Sequence, residues 1–293
     1  MNDFLFALRQ LRLRPAFTVA AALSLALGIG LVATQFSLID GVLLRGLPLP
    51  EIRTLYHLAY QDPQSADRNR WQVLPHRDFA ALAERQTSFE QIAATAWIPA
   101  NLSGPGRVPS RHTGSFATAN LLDVVHVRPM LGRWFQPEEN HLGQPLLVVL
   151  SHNVWQQQFS GDPGVLGRAV NVNGEPATVI GVMPPKFTLP GYEDLRMNLR
   201  INPADPRDRL VDRVEVFGRL KVGVTPERAQ TELDALADSF AGAWPETNQG
   251  FTRFNLQQVG RAYSGGGAQP LLFIMLAMTV LILILACVNV ASM

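Results

Sequence analysis

The chain has 293 residues, 25 Lys plus Arg against 24 Asp plus Glu, and a single cysteine. A near-neutral balance without a dense basic run excludes a nucleic-acid surface, and one cysteine excludes a disulfide framework or a cysteine-rich metal site. The 47% hydrophobic content would suit a soluble enzyme, but formal charge is missing from Pro15 to Ile39 and from everything after Arg261, an order that selects a membrane class.

Residues 1–14 read as a short amphipathic helix, cytoplasmic or interfacial, with Phe4, Leu5, Leu8 and Leu11 opposite Arg9 and Arg12. Pro15 to Ile39 carries no charge and, at about 1.5 Å per residue, makes a helix of roughly 37 Å, enough to cross about 30 Å of hydrocarbon. The first transmembrane helix and its extension are placed at 15–45. A cleaved signal peptide is the alternative, but its apolar region would span only about 7–15 residues. Arg9, Arg12 and Arg14 keep the N-terminus cytoplasmic and send the following domain outward. Within the span, Gly28 and Gly30 are candidate helix contacts.

A polar domain, 51–262, follows the GLPLPE linker. Leu55 to Tyr60 reads as a strand, Pro75 to Gln86 as a helix with Phe79, Leu82 and Ala83 inward, and Phe89 to Trp97 as a second strand. A matching unit closes the domain. Val214 to Val222 is a strand, Thr225 an N-cap with Pro226 and Glu227 behind it, Ala229, Leu233, Leu236, Ala237 and Phe240 an inner helix face, and Phe251 to Val259 a strand. Two such β-α-β units, 51–100 and 211–262, suggest a split ferredoxin-like subdomain. The stretch 101–210 between them is richer in short strands and reads as an inserted β subdomain. It holds the strand Leu146 to Leu150, a short helix capped by Ser151, and a hairpin from Ala169 to Met183 turning at Asn173-Gly174. SGGG, Ser264 to Gly267, is a pliable joint, and 268–293 is a second transmembrane helix. The fold class is therefore an α+β membrane protein, two spans flanking an extracytoplasmic domain.

Catalytic signals are weak. The six histidines, His57, His76, His112, His126, His141 and His152, form no HExxH pair. Ser151-His152 is better read as a helix start than as a nucleophile and base, and Glu138-Glu139 as solvated or helix-starting acids of a Pro-containing loop than as metal ligands. Cys287 is a small apolar residue of the second span. No GxxxxGK[ST] loop occurs, so any ATP is handled by another chain. No enzyme activity, metal or cofactor is expected.

FALRQLRLRPAFTVAAALSLALGIG with FSLIDGVLLRGLPLPE, VRPMLGRWFQPEEN, VVLSHNVWQQQFSGDPGVLGR, NGEPATVIGVMPPKF and VEVFGRLKVGVTPERAQTEL follow one another along the chain. In this order they resemble MacB-like, FtsX-like ABC transporter permeases, and among them the duplicated orphan permeases of acidobacteria. The resemblance implies an inner-membrane permease whose periplasmic core has a porter-like part and an inserted β-rich part. It implies motion received from a cytoplasmic ATP-binding subunit, a second permease unit as homodimer or pseudo-dimer, and a periplasmic adaptor or lipoprotein as a further partner. It assigns structural roles: Gly132 and Gly167 in backbone turns, Trp134, Phe135, Trp155 and Phe159 in the core. Family members carry at least four spans per unit, so the chain is expected to be the N-terminal part of a longer permease, or one completed by a separate polypeptide. The alternative function is a membrane-tethered periplasmic binding or scaffold module without ATP coupling.

Overall fold

The computed structural model describes residues 15–40, 49–65, 70–104, 108–189, 191–200, 213–263 and 269–292. The expected amphipathic helix at 1–14 and the SGGG joint lie outside them. The chain forms two compact units, one of Met1–Gly46 with Ser264–Met293 and one of Leu47–Tyr263.

Helix α1 (Pro15–Ile39) opens the described chain. The central domain starts with a 3-10 turn at Ile52–Thr54 and β1 (Leu55–Gln61), then β2 (Trp71–Gln72), β3 (Leu74–Pro75), α2 (His76–Arg85), β4 (Phe89–Ser103) and β5 (Ser110–Ala117). Next come α3 (Leu121–Val125), β6 (Leu131–Gly132), β7 (Leu146–Leu150), α4 (His152–Phe159), β8 (Ala169–Val172), β9 (Glu175–Val182) and β10 (Leu195–Asn198). β11 (Arg213–Leu220), α5 (Pro226–Ala243), α6 (Pro245–Asn248), β12 (Phe254–Gln258) and α7 (Val259–Tyr263) close the domain, and α8 (Gln269–Ser292) follows.

Local chemistry explains several boundaries. The Ser151 hydroxyl accepts the Val154 N–H at 3.2 Å and starts α4, and Thr225 accepts from Arg228 at 3.3 Å and starts α5, each satisfying a free N–H of a first turn. Asn173 (φ 52°) and Gly174 (φ 85°) make the left-handed pair that joins β8 to β9.

The sheet runs β12-β1-β11-β4-β5-β10-β7-β9-β6, with β2, β3 and β8 paired alongside. β12, β1, β11 and β4 are antiparallel neighbours, so β1 and β4 run parallel with β11 between them, and the two β-α-β units interleave. β4 joins the halves of the sheet. Its residues Phe89 to Thr95 pair with β11, while Thr95 to Leu102 pair with β5, so the strands of the middle stretch extend the same sheet.

Apolar side chains pack on both faces. One face carries Leu58, Ala94, Val148 and Val216 beneath Phe79 and Leu82 of α2, Trp155 and Phe159 of α4, and Leu233 and Phe240 of α5. The other carries Leu55, Ala93, Val149 and Phe217 beneath Leu121 and Val125 of α3, Trp134 and Phe135. All five residues expected on the inner face of α5 are buried. In α2 the pattern differs: Ala83 is exposed, while Asp78 is fully buried. Its Oδ2 accepts the Tyr60 hydroxyl at 2.7 Å and also the Asn248 amide, partners from β1 and α6 that make burial of a carboxylate tolerable. Strand β12 begins at Phe254, three residues later than expected, because the turn at Gly250 (φ 85°) and the Phe251 N–H bond to Asn248 O carry the chain there.

In the other unit, α1 and α8 each contain an 18-residue window apolar enough to cross a membrane, with mean hydropathy 1.9 and 3.1. Along α1 the covered positions include Leu25, Gly28, Val32, Gln35 and Ile39; along α8 they include Leu272, Leu276, Thr279, Leu283, Ala286 and Val290. Steps alternating three and four are the seam of a left-handed helix pair. At Gly28 a Cβ would come 2.8 Å from Leu283 Cδ1, whereas at Gly30 nothing lies within 4 Å. Of the two glycines expected as contacts, only Gly28 faces α8, because Gly30 lies off the seam. Gly28→Leu is therefore expected to destabilise the full chain in detergent by about 1–3 kcal/mol. Gly30→Leu is expected to stay within about 0.5 kcal/mol; thermal melts of both variants check this.

Candidate functional site

The described residues contain no group of three or more metal-ligating side chains. The sequence-singled residues are held in packing roles. Gly132 (φ 72°) lies where a Cβ would run into the Ile180 carbonyl, so β6 can approach β9 only with glycine there. Gly167 (φ 77°) faces open space, so its requirement is the left-handed backbone alone. Trp134 and Phe135 pack with ring centroids 4.3 Å apart. Trp155 donates its Nε1–H to Asp162 O at 2.9 Å, and Phe159 is 3% exposed.

Ser151 is engaged as the α4 cap, and His152 meets the Trp155 ring edge-on at 5.7 Å. Glu138 is exposed, and Glu139 is fork-paired with Arg133 at 2.9 and 2.6 Å, an ion pair that holds the Glu139 carboxyl below its ordinary range. Cys287 faces outward on α8. A relay invisible in the sequence joins Ser110 Oγ to His112 Nε2 at 2.7 Å and His112 Nδ1 to Asp194 Oδ2 at 3.0 Å. With Thr113 Oγ1 donating to Tyr192 O at 2.6 Å, it ties β5 to the segment before β10.

A dense polar construction sits where the chain enters and leaves the central domain. Arg219, on β11 opposite Leu55, is 2% exposed. Its Nη1 donates to Glu51 O at 3.1 Å and Thr54 Oγ1 at 2.6 Å, its Nη2 to Pro50 O at 3.4 Å, and its Nε to Val124 O at 3.0 Å in the last turn of α3. The Glu51 carboxylate lies 3.4 Å from Nη1 and 3.6 Å from His126 Nδ1. Burial pulls the guanidinium's pKa down, opposed by Glu51 and Glu90. Glu51 itself sits at φ 49°, a left-handed turn that brings its carbonyl round to the arginine. A planar fork suits this task, since several fixed carbonyls are met by one rigid group. A cleft of about 460 Å³ beside it is lined by Glu90, Asp123, His126, Arg128 and Arg219.

The outgoing end is bound to the same place. Gln258 Nε2 donates to Arg53 O at 3.0 Å, and Gly260 packs on Ile52, whose Cδ1 would be 3.5 Å from a Cβ there. Tyr263, the last residue of α7, donates its hydroxyl to Glu215 Oε2 at 2.8 Å. Burial raises the pKa of both partners, for the tyrosine with the carboxylate adding to it. Behind Tyr263 lies His57, 1% exposed, with Trp71, Phe217 and Tyr263 ring centroids at 4.5, 5.6 and 5.7 Å. Burial alone lowers its pKa from 6.5 to about 4. The segment that follows α1 in the sequence and the segment that precedes α8 are thus fastened to each other and to the neighbouring strands β1 and β11. These are the second and third strands from the β12 edge of the sheet. Sequence reasoning missed Arg219 and Tyr263 because RLKV and RAY carry no pattern that marks their partners.

A structural likeness of TM-score 0.51 links the chain to the extracellular domain of the noncanonical ABC-type transporter YknZ from Gram-positive bacteria, at 15% identity over 69% of this chain and 99% of that one. The periplasmic region of MacB from Actinobacillus actinomycetemcomitans gives 0.52, at 16% identity over 72% and 93%. At such identities the likeness concerns the fold. No curated protein matches the sequence well enough to count as a relative, and neither structure bears on the narrower resemblance to acidobacterial permeases. The model of the MacB-like periplasmic core domain matches residues 18–236. That match spans well over half of the sequence, and the chain belongs to the family of MacB-like periplasmic core domain proteins.

Proposed function

We propose that the chain is a permease component of an ABC-type export or efflux system, in which a separate cytoplasmic ATPase moves the membrane helices and the central domain receives that motion. The observation that carries the reading is the fastening at Arg219 of residues 50–54 to β11 and α3, because a displacement delivered to the start of the central domain reaches the sheet only if that start is held to it. Family membership supports the ABC setting. The arginines before Pro15 support a cytoplasmic N-terminus in a bacterial inner membrane, with the central domain in the periplasm. In this reading β1, α2, β4, β11, α5 and β12 are the porter-like part, and the strands between β4 and β11 are the inserted part that meets an adaptor, a lipoprotein or a second permease unit.

Reconstitution of the full chain with its ATP-binding subunit tests this. Binding that alters ATP turnover is expected. Failure to bind, or binding with unchanged turnover, removes the proposal, and the second of these outcomes fits a tethered scaffold.

A further inference from the structure

The sheet's path ends at β12, which has a partner on only one side among the described residues. Gln61 N–H donates to Arg253 O at 2.9 Å, which in the register Tyr60 opposite Phe254 makes that pair the non-hydrogen-bonded kind. The backbone N–H and C=O of Phe254 therefore point away from β1. α5 closes them: Phe254 N–H donates to Asp234 Oδ1 at 2.9 Å, Gln230 Nε2 donates to Phe254 O at 2.8 Å, and the same Nε2 meets Asp234 Oδ1 at 2.8 Å. Two side chains thus stand in for a neighbouring strand, but only at one residue. By the two-residue period, Leu256 presents its N–H and C=O in the same outward direction, and no described strand or side chain takes them.

Beside this open edge lies a cleft of about 500 Å³. Its walls include Gln230 and Asp234, its strand side Phe254 and Leu256, and its rim Arg253 and Arg261. Leu256 is partly buried against the core and gives the cleft an apolar contact. Both arginines are exposed, and neither has a carboxylate partner among the described residues. Asp234, the acid of the site, is already engaged with Phe254.

We propose that this edge takes an extended peptide segment of a partner protein, added as a short strand at Leu256 with acidic side chains directed to Arg253 and Arg261. Backbone bonds at an exposed edge give such a mode its affinity, and flanking side chains its selectivity. The stand-in at Phe254 limits the added strand to a few residues, so a long unselective edge-to-edge association is blocked.

The test uses the full chain in detergent and fluorescein-labelled Glu-Val-Thr-Val-Glu amide, followed by fluorescence anisotropy. Saturable binding is expected. It should weaken about tenfold or more, equivalent to about 1.4 kcal/mol, when the glutamates are replaced by lysines and again in the double variant Arg253→Gln with Arg261→Gln. Leu256→Pro removes the outward N–H, a backbone change an edge strand accepts, together with the partly buried leucine side chain. It should reduce binding about tenfold with a melting temperature that reports a folded protein, whereas Leu256→Ala, which keeps the N–H, should bind more tightly than the proline variant. The double arginine variant decides alone if the proline variant does not fold. No saturable binding, equal affinity for the lysine peptide, or undiminished binding by folded Leu256→Pro overturns the proposal. So does displacement of the peptide by a second copy of the chain, seen as concentration-dependent dimerisation, or by phosphatidylglycerol micelles.

Discussion

Arg219→Leu is expected to lower the unfolding free energy of the full chain by about 3 kcal/mol. The guanidinium serves Val124 O through a buried bond and Glu51 O, Pro50 O and Thr54 Oγ1 through half-buried ones. Bonds to a charged donor are worth about 1.5–3 kcal/mol each, and the loss is felt in full at buried Val124 O, while water replaces part of it at the three half-buried acceptors. Leucine recovers part of the loss by apolar burial. The Glu51 carboxylate contributes little, since its side chain is 68% exposed and screened by water. Arg219→Lys should fall between, because an ammonium keeps the charge but cannot fork to separated carbonyls. Urea titration in detergent measures the loss, and hydrogen exchange locates it. Faster exchange is expected at residues 49–55 and in α3, with β7 and β9 unchanged. A uniform increase across the sheet would make Arg219 a general core residue and not a clasp.

The second large effect depends on pH. His57 has both ring nitrogens without a hydrogen-bond partner and a pKa lowered from 6.5 to about 4. The folded state therefore favours the neutral ring, while the unfolded chain takes up a proton near 6.5. Between these values the unfolded state binds more protons, so stability falls as pH falls from 6.5 towards about 4. At about 1.36 kcal/mol per unit of pH the total is about 3 kcal/mol. His57→Phe keeps a ring among Trp71, Phe217 and Tyr263 and removes both orphaned nitrogens. It is expected to match or exceed the parent at pH 7 and to gain on it by about 3 kcal/mol at pH 4. Glu215 acts in the opposite direction, since a carboxyl whose folded pKa is raised stabilises at low pH and loses that as pH rises. The difference between parent and variant isolates His57. Parallel pH profiles for the two proteins would show that the ring titrates in solvent.

Much of the local structure could be read directly. α5 announces itself through Thr225, Pro226 and five inner residues at helical spacing, and the β8–β9 hairpin through Asn173-Gly174. These signals lie within one turn or one helix face, where near neighbours decide the conformation. What escaped reading depends on partners far along the chain. Ala83, expected inward, is exposed, while Asp78 of the same helix is buried because Tyr60 and Asn248, distant in sequence, supply the polar partners that let a carboxylate go inside. β10 runs parallel to β5, and β7 parallel to β9, pairings that no periodicity specifies. Arg219 and Arg196 are among the least exposed side chains, although arginine in a sequence suggests solvent. Arg196 is held by Glu193 Oε2 at 3.1 Å, by the carbonyls of Glu193 and Leu189 at 3.1 and 3.2 Å, and by the Phe187 ring at 4.6 Å. The junction site was illegible for the same reason, since its members come from residues 50–54, 124, 215, 219 and 258–263 and meet only in the folded sheet.

Transmission through that junction is tested most directly by hydrogen exchange on the full chain bound to its ATP-binding subunit in lipid nanodiscs, with and without a non-hydrolysable ATP analogue. The predicted result is a nucleotide-dependent change in protection at residues 49–55 and 258–263 that extends into β1 and β11 and is lost beyond residue 55 in Arg219→Leu. Nucleotide binding that leaves protection of both segments unchanged, while the ATP-binding subunit remains attached, contradicts it.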